Sequence, residues 1–188
     1  EKMKLVGCFA VLACVGVAQA GEFGYTAYGA SLSVDDPDGT TSSTSYLAPF
    51  NGFYADSLKR DIRYQVEAFA DSVILDAGIN QIGQKVQYQG VGLSLQHRFR
   101  LTPDIKPWLG VGVDYIDLRY RDRHSVDTGG YLTYRFPDRS ESGMNLVLNA
   151  ANYWAFSRSW DIGLVAKLGQ PVASDSTFLK IGISALYR

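Results

Sequence analysis

The sequence predicts an all-β protein, an eight-stranded antiparallel up-and-down transmembrane β-barrel. Three observations predict it: an N-terminal segment typical of exported proteins, apolar residues that alternate with polar ones, and links between predicted strands that alternate in length. The 188 residues suffice for one domain or one small barrel. With 19 Gly, 12 Tyr and only 6 Pro, the composition favours strands and turns over helices.

The charge balance excludes one class of partner. The chain has 18 basic and 19 acidic residues, a formal net charge of −1. Surfaces that bind nucleic acid are usually basic, so we expect no nucleic-acid partner. The mean hydropathy is −0.07 although 46% of the residues are hydrophobic, because apolar residues are interspersed with polar ones.

Residues 1–20 predict a signal peptide that is cleaved on export. Lys2 and Lys4 precede an apolar run at 5–18, and Ala-Gln-Ala at 18–20 provides the small residues of a cleavage site. The run has 14 residues, too few to span a bilayer as a helix. A buried helix and a lipoprotein signal at 11–14 remain alternatives. The sequence thus divides into a signal peptide at 1–20 and a barrel domain at 21–188.

Both cysteines, Cys8 and Cys14, lie in this first segment. Residues 21–188 therefore offer no disulfide, no thiol nucleophile and no thiolate metal ligand. Because the chain also has only 2 His, we expect no transition-metal site and no cofactor.

Alternation with a period of two residues predicts the strands. In the last segment, odd positions from Leu179 to Tyr187 are mostly apolar, while even positions from Lys180 to Ser184 are small or charged. The same pattern predicts strands at 23–34, 46–55, 62–76, 85–100, 108–120, 144–156, 160–168 and 177–187. The second of these, which contains Pro49, is the least regular.

The residues on the polar face favour a membrane barrel. Gly recurs there, which suits a cramped and curved interior. Strands of about 9–11 residues, apolar outside and polar inside, are typical of outer-membrane barrels. Aromatic residues near the strand ends fit interfacial girdles: Tyr115, Tyr153, Trp154, Trp160 and Tyr187. A soluble barrel or sandwich remains the alternative.

The links between the predicted strands set their number and orientation. The links at 57–61, 101–107 and 157–159 are short, which is typical of periplasmic turns. Those expected outside are longer or more polar, at 35–45, 77–84, 121–143 and 169–176. Residues 131–136 also resemble a strand, and we assign them to a ribbon within the third external loop, which keeps the count at eight.

These features resemble the small eight-stranded outer-membrane barrel family, the OmpA-, OmpX- and OmpW-like group. The resemblance is carried by Ala-Gln-Ala at 18–20, by Lys-Pro-Trp-Leu-Gly-Val-Gly-Val at 106–113 and by the final strand. It implies a bacterial outer-membrane location and contact with outer-membrane lipid, lipopolysaccharide and the barrel-assembly machinery. Members of the family usually end on an aromatic residue, whereas here Tyr187 is penultimate and Arg188 is last.

Charged residues on the predicted inward face form the first candidate site. An eight-stranded barrel is about filled by its side chains, and an unpaired buried ion costs several kcal/mol, so these charges are expected to pair. We predict a polar network in the lumen, with a narrow conduit for ions or small solutes as the alternative. The residues are Arg63, Glu67, Arg98, Asp114, Asp161, Lys167 and Lys180.

The third external loop provides the second candidate site. Arginine binds phosphates through two parallel hydrogen bonds, and lipopolysaccharide presents phosphates at this height. A solvated loop with internal ion pairs is the alternative. The residues are Arg121, Arg123, Arg135, Arg139, Tyr131 and Tyr134.

The sequence gives little support for catalysis. His124 and Ser125 are adjacent, so on a strand their side chains point to opposite faces. The chain has no Gly-x-Ser-x-Gly motif. We therefore expect a non-catalytic outer-membrane protein with a structural or surface-interaction role. The alternative is a porin-like or OmpW-like conduit for small solutes or hydrophobic compounds.

Overall fold

The computed structural model describes residues 21–34, 42–78, 81–172 and 176–188. The predicted signal peptide at 1–20 lies outside these ranges. The strands are β1 (Glu22–Val34), β2 (Ser42–Lys59), β3 (Ile62–Leu75), β4 (Gly83–Arg98), β5 (Trp108–Val126), β6 (Leu132–Arg135), β7 (Arg139–Ala155), β8 (Trp160–Pro171) and β9 (Ser176–Tyr187). Within the described ranges, no helix is long and apolar enough to cross a membrane.

Eight of these strands close into a barrel. The sheet runs β4-β3-β2-β1-β9-β8-β7-β5, and β4 also pairs with β5, which joins its two edges. Every pairing is antiparallel. The predicted eight-stranded antiparallel barrel is confirmed. The extra strand, β6, pairs with the far end of β5 and stands outside the closed ring.

The first and last strands begin and end at the same rim, where Phe23 pairs with Tyr187. The links at 57–61, 99–107 and 156–159 lie at this rim too, and we call it the turn end. We call the opposite rim, with residues 75–78, 81–84 and 117–143, the loop end. Its other two predicted links include 35–41 and 173–175, which lie outside the described residues.

The strands extend further toward the loop end than the sequence predicts. β5 continues to Val126 rather than 120, and β7 begins at Arg139 rather than 144. Along β2, Thr26 faces Asn51 but Tyr28 faces Ala48, so one extra residue forms a bulge at 49–50. Proline has no amide hydrogen to donate to a ladder, and a bulge accommodates it.

The turn-end half of the barrel, which we call the lower barrel, is apolar outside and polar inside. On β4 and β5 the exposed side chains of this half are Val91, Leu93, Leu95, Leu109, Val111, Val113 and Tyr115. Their inward neighbours are Gly90, Gly92, Ser94, Gln96, Gly110, Gly112 and Asp114. Glycine faces the lumen here, as the sequence predicts.

In the loop-end half, the upper barrel, β4 and β5 have the opposite polarity. Their outward side chains there are Lys85, Gln87, Gln89, Asp117, Arg119 and Arg121. Most of their inward side chains are apolar or aromatic, namely Val86, Tyr88, Ile116, Leu118 and Tyr120, while Gln84 and Arg123 are buried beyond them. The reversal falls at the same height on both strands, because Val91 pairs with Tyr115 and Gly90 with Ile116.

Candidate functional site: lumen and outer wall

A lysine and two carboxylates fill the centre of the lower lumen. Lys167 on β8 forms ion pairs with Glu67 on β3 and with Asp114 on β5, and its Nζ lies 2.8 Å from the Asp114 Oδ2. The three side chains are at most 4% exposed. A Cβ at position 92 would overlap the Asp114 carboxylate and lie 2.8 Å from the Glu67 Oε1, so the network requires Gly92.

A second lysine lies where the polar lumen meets the apolar core. The Lys180 Nζ is 3.2 Å from the Asp71 Oδ2. It also lies over four aromatic rings, 5.0 Å from the centroids of Phe69 and Tyr88, 5.3 Å from that of Phe178 and 5.7 Å from that of Tyr28. Ring faces attract a cation, and the attraction is strongest when water is excluded. Lys180 therefore links the ion pairs to the aromatic residues above them.

The turn-end mouth of the lumen is occupied by arginine. Arg63 donates from its Nε to the Gln96 Oε1 at 2.7 Å and pairs with the Glu22 Oε2 at 3.1 Å. Its guanidinium lies 4.3 Å from the centre of the Trp108 ring. Asp161 forms its ion pair with Arg188, at the last position of the sequence.

Apolar side chains fill the upper lumen. They form one packed cluster: Leu32, Phe69, Val73, Leu75, Val86, Tyr88, Ile116, Leu118, Tyr120, Val147 and Phe178. In the lower lumen, a cavity of about 10 Å³ beside Gln65 and Lys167 has room for roughly one water molecule. Two kinds of barrier thus lie in series along the lumen, one ionic and one apolar.

Six of the seven charged residues predicted in the lumen are buried inside the barrel, at most 4% exposed. Arg98 differs: it lies at the turn-end rim, 3.1 Å from Asp61 and half-exposed. The structure does not bring all seven together but divides them among separate pairs. Four charged partners were not predicted from the sequence: Glu22, Asp61, Asp71 and Arg188. Asp71 shares the inward parity of Arg63 and Glu67 on β3, and that parity is the signal by which it could have been found.

The six loop residues predicted to bind phosphate do not form a single site. Arg123 is buried, and it donates to the Gln84 Oε1 and, at 3.0 Å, to the Pro137 carbonyl oxygen. Arg139 pairs with Glu141 at 2.6 Å. Arg123 thus joins β5 to the segment before β7, and Arg139 contacts β5 through the Tyr120 ring, 5.6 Å from its guanidinium. The other four are exposed: Arg121, Tyr131, Tyr134 and Arg135.

The outer wall carries a basic patch that was not predicted from the sequence. Lys85 on β4 pairs in register with Arg121 on β5, and Gln87 pairs with Arg119. All four side chains face outward, just above the apolar band that ends at Val91 and Tyr115. Arg119 is partly neutralised, because its guanidinium lies 3.1 Å from the Asp117 carboxylate. We call Lys85, Arg119 and Arg121 the basic collar.

No family model and no curated protein matches the chain. Solved structures do. Neisserial surface protein A (NspA) aligns with a TM-score of 0.60 at 13% identity, over 90% of this chain and 99% of NspA. Ail, the attachment invasion locus protein of Yersinia pestis, aligns at 0.52 and 12%, over 90% and 99%. OprG from Pseudomonas aeruginosa aligns at 0.53 and 12%, over 90% and 97%.

The chain has the fold of the small eight-stranded outer-membrane β-barrels. The resemblance deduced from the sequence is confirmed at this level. Identities of 12–13% establish the fold and not the activity.

His124 and Ser125 are hydrogen-bonded to other residues and not to each other. The His124 Nδ1 lies 2.7 Å from the Asp122 carbonyl oxygen, and the Ser125 hydroxyl is hydrogen-bonded to Thr133 at 2.9 Å. Asp122 has a φ of 55°, which marks an irregularity where β5 leaves the barrel. Within the described ranges, no three His, Cys, Asp or Glu side chains are grouped to hold a metal ion.

The barrel's turn end has one strongly paired carboxylate. The Asp61 Oδ1 lies 2.8 Å from Arg100 and 3.1 Å from Arg98. Hydrogen bonds from Arg100, and then from Arg98, lower the pKa of Asp61 below its ordinary value. This carboxylate therefore ties the β2–β3 turn to the end of β4.

Proposed function

We propose that this chain is an integral protein of the bacterial outer membrane, with its turn end in the periplasm and its loop end outside. The observation that carries the proposal is the apolar band on the outside of a closed barrel. Exposed side chains of the band include Leu93, Val111, Val113, Leu146, Leu148, Ile162, Leu164, Leu179, Ile181 and Ile183. Patches this large on a soluble monomer are rare.

The aromatic rim supports this placement. Exposed aromatic side chains gather at the turn end of the band: Phe23, Tyr25, Trp154, Trp160 and Tyr187. Tryptophan and tyrosine prefer the boundary between acyl chains and water, where the ring is apolar and its polar atom is hydrated. A closed ladder also leaves no strand edge in the band that needs water.

We further propose that the protein does not conduct solutes and that its role is structural or concerned with surface interactions. The lower lumen is crossed by the Lys167 ion pairs, and the upper lumen is packed with apolar side chains. A porin-like conduit needs a continuous aqueous path through both layers.

Conductance across a planar bilayer tests this proposal. Protein whose folding is established by heat-modifiable migration on a denaturing gel should give no steady channel current. The triple variant Lys167→Ala, Glu67→Ala, Asp114→Ala should also stay closed, because the apolar cluster is a second barrier in series. A stable current from the unaltered folded protein would overturn the closed-lumen proposal and favour the conduit.

Lipopolysaccharide is the partner that the basic collar favours. Lys85, Arg119 and Arg121 lie immediately above the apolar band, at the height where lipid A phosphates reach the water. Among the structural neighbours, Ail has been crystallised with a polyanion, the heparin analogue sucrose octasulfate. The exposed Tyr131, Tyr134 and Arg135 extend farther along the same hairpin and offer contacts to other surface ligands.

Binding of lipopolysaccharide to refolded protein, compared with a dephosphorylated form, tests this partner. We expect the double variant Lys85→Gln, Arg121→Gln to lose about tenfold or more in affinity for the phosphorylated form. The matched control is Lys106→Gln, at the opposite end of the barrel. Equal affinity for both lipid forms would contradict the assignment.

We also propose that the chain is not an enzyme. The hydrogen bonds of His124 and Ser125 lead to Asp122 and Thr133 rather than to each other, which supports this view. Overexpression that leaves lipid A chemically unchanged is the expected result, and deacylated lipid A would overturn it.

A further inference from the structure

Each of the three turns at the turn end combines an exposed apolar side chain with a neighbouring base. In the β2–β3 turn, Leu58 is 59% exposed and is followed by Lys59 and Arg60. In the β7–β8 turn, Phe156 is 74% exposed and Arg158 follows two residues later. The third turn shows the pattern twice.

That third turn, at 99–107, is symmetrical about its tip. Leu101 and Thr102 both donate their amide hydrogens to the Ile105 carbonyl oxygen, which closes the tip. Arg100 and Leu101 precede the tip in the chain, and Ile105 and Lys106 follow it. Leu101 and Ile105 are 68% and 45% exposed.

The two ends of the barrel differ in charge. The three turns, 57–61, 99–107 and 156–159, contain five basic and two acidic residues, a net charge of +3. The loop-end hairpin at 117–143 contains five of each and is neutral. The whole chain has a net charge of −1, so the turn end is basic against the overall balance.

Two of the bases lie in turns next to the end of β7, the strand that carries the exposed Trp154. The backbone amide of Lys106 donates to the Asn152 Oδ1 at 2.8 Å, which places Lys106 next to β7 two residues before Trp154. Arg158 lies at the tip of the next turn, which Phe156 closes by donating to the Trp160 carbonyl oxygen. Lys106 and Arg158 form no ion pair with another described residue, unlike Arg100, which pairs with Asp61.

We propose that the turn end binds the phosphate groups of anionic phospholipids in the inner leaflet, with Lys106 and Arg158 as the principal contacts around Trp154. The inference rests on the proposed membrane location. Leu58, Leu101 and Phe156 enter the acyl boundary, while the adjacent bases extend to the headgroups. Long basic side chains reach from apolar surroundings to a polar boundary in this way.

The mixture of side chains favours lipid as the occupant. A purely electrostatic partner, such as an acidic periplasmic protein, would not require exposed Leu or Phe in every turn. A neutral lipid would not require a net charge of +3. Basic residues near an anionic membrane each strengthen binding by about 1 kcal/mol, roughly fivefold in affinity.

Quenching of tryptophan fluorescence by brominated lipids tests the proposal. All three tryptophans lie at the turn end: Trp154 and Trp160 are exposed on the outer wall and report on the lipids there, whereas Trp108 lies against Arg63 in the lumen mouth. Full-length protein is folded into vesicles in which either the phosphatidylglycerol or the phosphatidylcholine is brominated, at equal mole fractions. We expect a binding constant about fivefold higher for phosphatidylglycerol, which falls in high salt.

The variant Lys106→Gln, Arg158→Gln should reduce this preference at least about twofold without changing heat-modifiable migration. The control Lys85→Gln, at the loop end, should leave it unchanged. Equal quenching by the two lipids overturns the proposal but leaves the membrane location intact. No quenching by either lipid, together with loss of heat-modifiable migration, overturns the proposed function itself.

Discussion

The lower and upper barrel are built from the same strands, but on β4 and β5 the two halves have opposite polarity. Below the Val91–Tyr115 pair, apolar side chains face outward, and the lumen holds the buried charges together with small apolar clusters. Above it, Lys85 and Arg119 face outward, while Ile116 and Leu118 are fully buried inside. The backbone ladder continues through the boundary without a register shift, so the strands themselves are the same in both halves.

If the proposed membrane location is right, the surroundings of the barrel, and not its hydrogen bonding, set the side-chain pattern. Inside lipid, the outward face has to be apolar, and the small lumen holds whatever polar groups can pair there. In water, the barrel behaves like a soluble one, with its apolar residues inside. The two halves should therefore respond in opposite ways to matched substitutions.

The largest effect is expected from removing the cation of the lower lumen. Lys167→Met leaves Glu67 and Asp114 buried without it, and breaking such a pair typically costs about 3–5 kcal/mol. Reversible urea unfolding in phospholipid vesicles gives the free energy of unfolding. The control is the outward Lys85→Met, expected within about 0.5 kcal/mol of the unaltered protein.

A second comparison isolates the ion pair from side-chain packing. Adding Glu67→Gln and Asp114→Asn to Lys167→Met removes the unpaired charges, so most of the lost stability should return. If the triple variant were as unstable as Lys167→Met alone, packing rather than charge would hold the lower lumen together.

The next effect concerns the outer face. Leu164→Arg places a charge near the middle of the apolar band and should cost about 2–4 kcal/mol in the same unfolding measurement. Gln87→Arg, on the outward face of the upper barrel, should change stability by less than about 0.5 kcal/mol. Similar costs at the two positions would contradict the division into lipid-facing and water-facing halves.

A smaller effect distinguishes packed protein from lipid. Ile116→Val, inside the upper barrel, should cost about 0.5–1.5 kcal/mol because the packed cluster cannot fill the lost methylene volume. Ile183→Val, on the outward face of β9, should cost less, since mobile acyl chains fill the space. The same unfolding measurement compares them, and the reverse order would show that Ile183 packs against protein.

The smallest effect is the pH dependence at the turn end. Because the pKa of Asp61 is lowered in the folded protein, its ionised form stabilises the fold at neutral pH. This contribution is lost as the pH falls through the ordinary carboxyl range toward the lowered pKa. Asp61→Asn should therefore be slightly less stable than the unaltered protein at pH 7, and the difference should disappear once the pH has fallen below the lowered pKa of Asp61. A difference that persists in acid would point to a cause other than this charge.

Much of the lower barrel could be predicted from the sequence. The strand at 160–168 alternates because one face lies on the outer wall and the other faces the lumen, and the structure has β8 begin at Trp160. The charged side chains of the lumen were predicted from their position on the polar face of each strand. Their pairing was predicted because an ion buried without a partner is costly. Which partner each ion finds depends on the register between distant strands, as for Lys180 and Asp71, and one sequence does not contain that information.

The upper barrel was less predictable for a physical reason. A change of surroundings shifts the apolar positions from odd to even residues along β4, from Val91 back to Tyr88 and Val86, with no inserted residue. Such a shift interrupts the alternation of apolar residues just as the end of a strand does. For this reason β5 and β7 were predicted too short. The same shift in two paired strands is the signal that identifies a barrel that extends beyond the membrane.

Site-directed spin labelling tests the reversal of polarity most directly. Residues 21–188 contain no cysteine, so single cysteines can be introduced at Leu93, Val113, Gln87 and Arg119. In folded protein in vesicles, labels at 93 and 113 should collide with oxygen and be shielded from a water-soluble nickel complex. Labels at 87 and 119 should be accessible to the nickel complex and should collide less often with oxygen. Labels at all four positions that are equally accessible to the nickel complex would contradict the lipid-facing lower barrel.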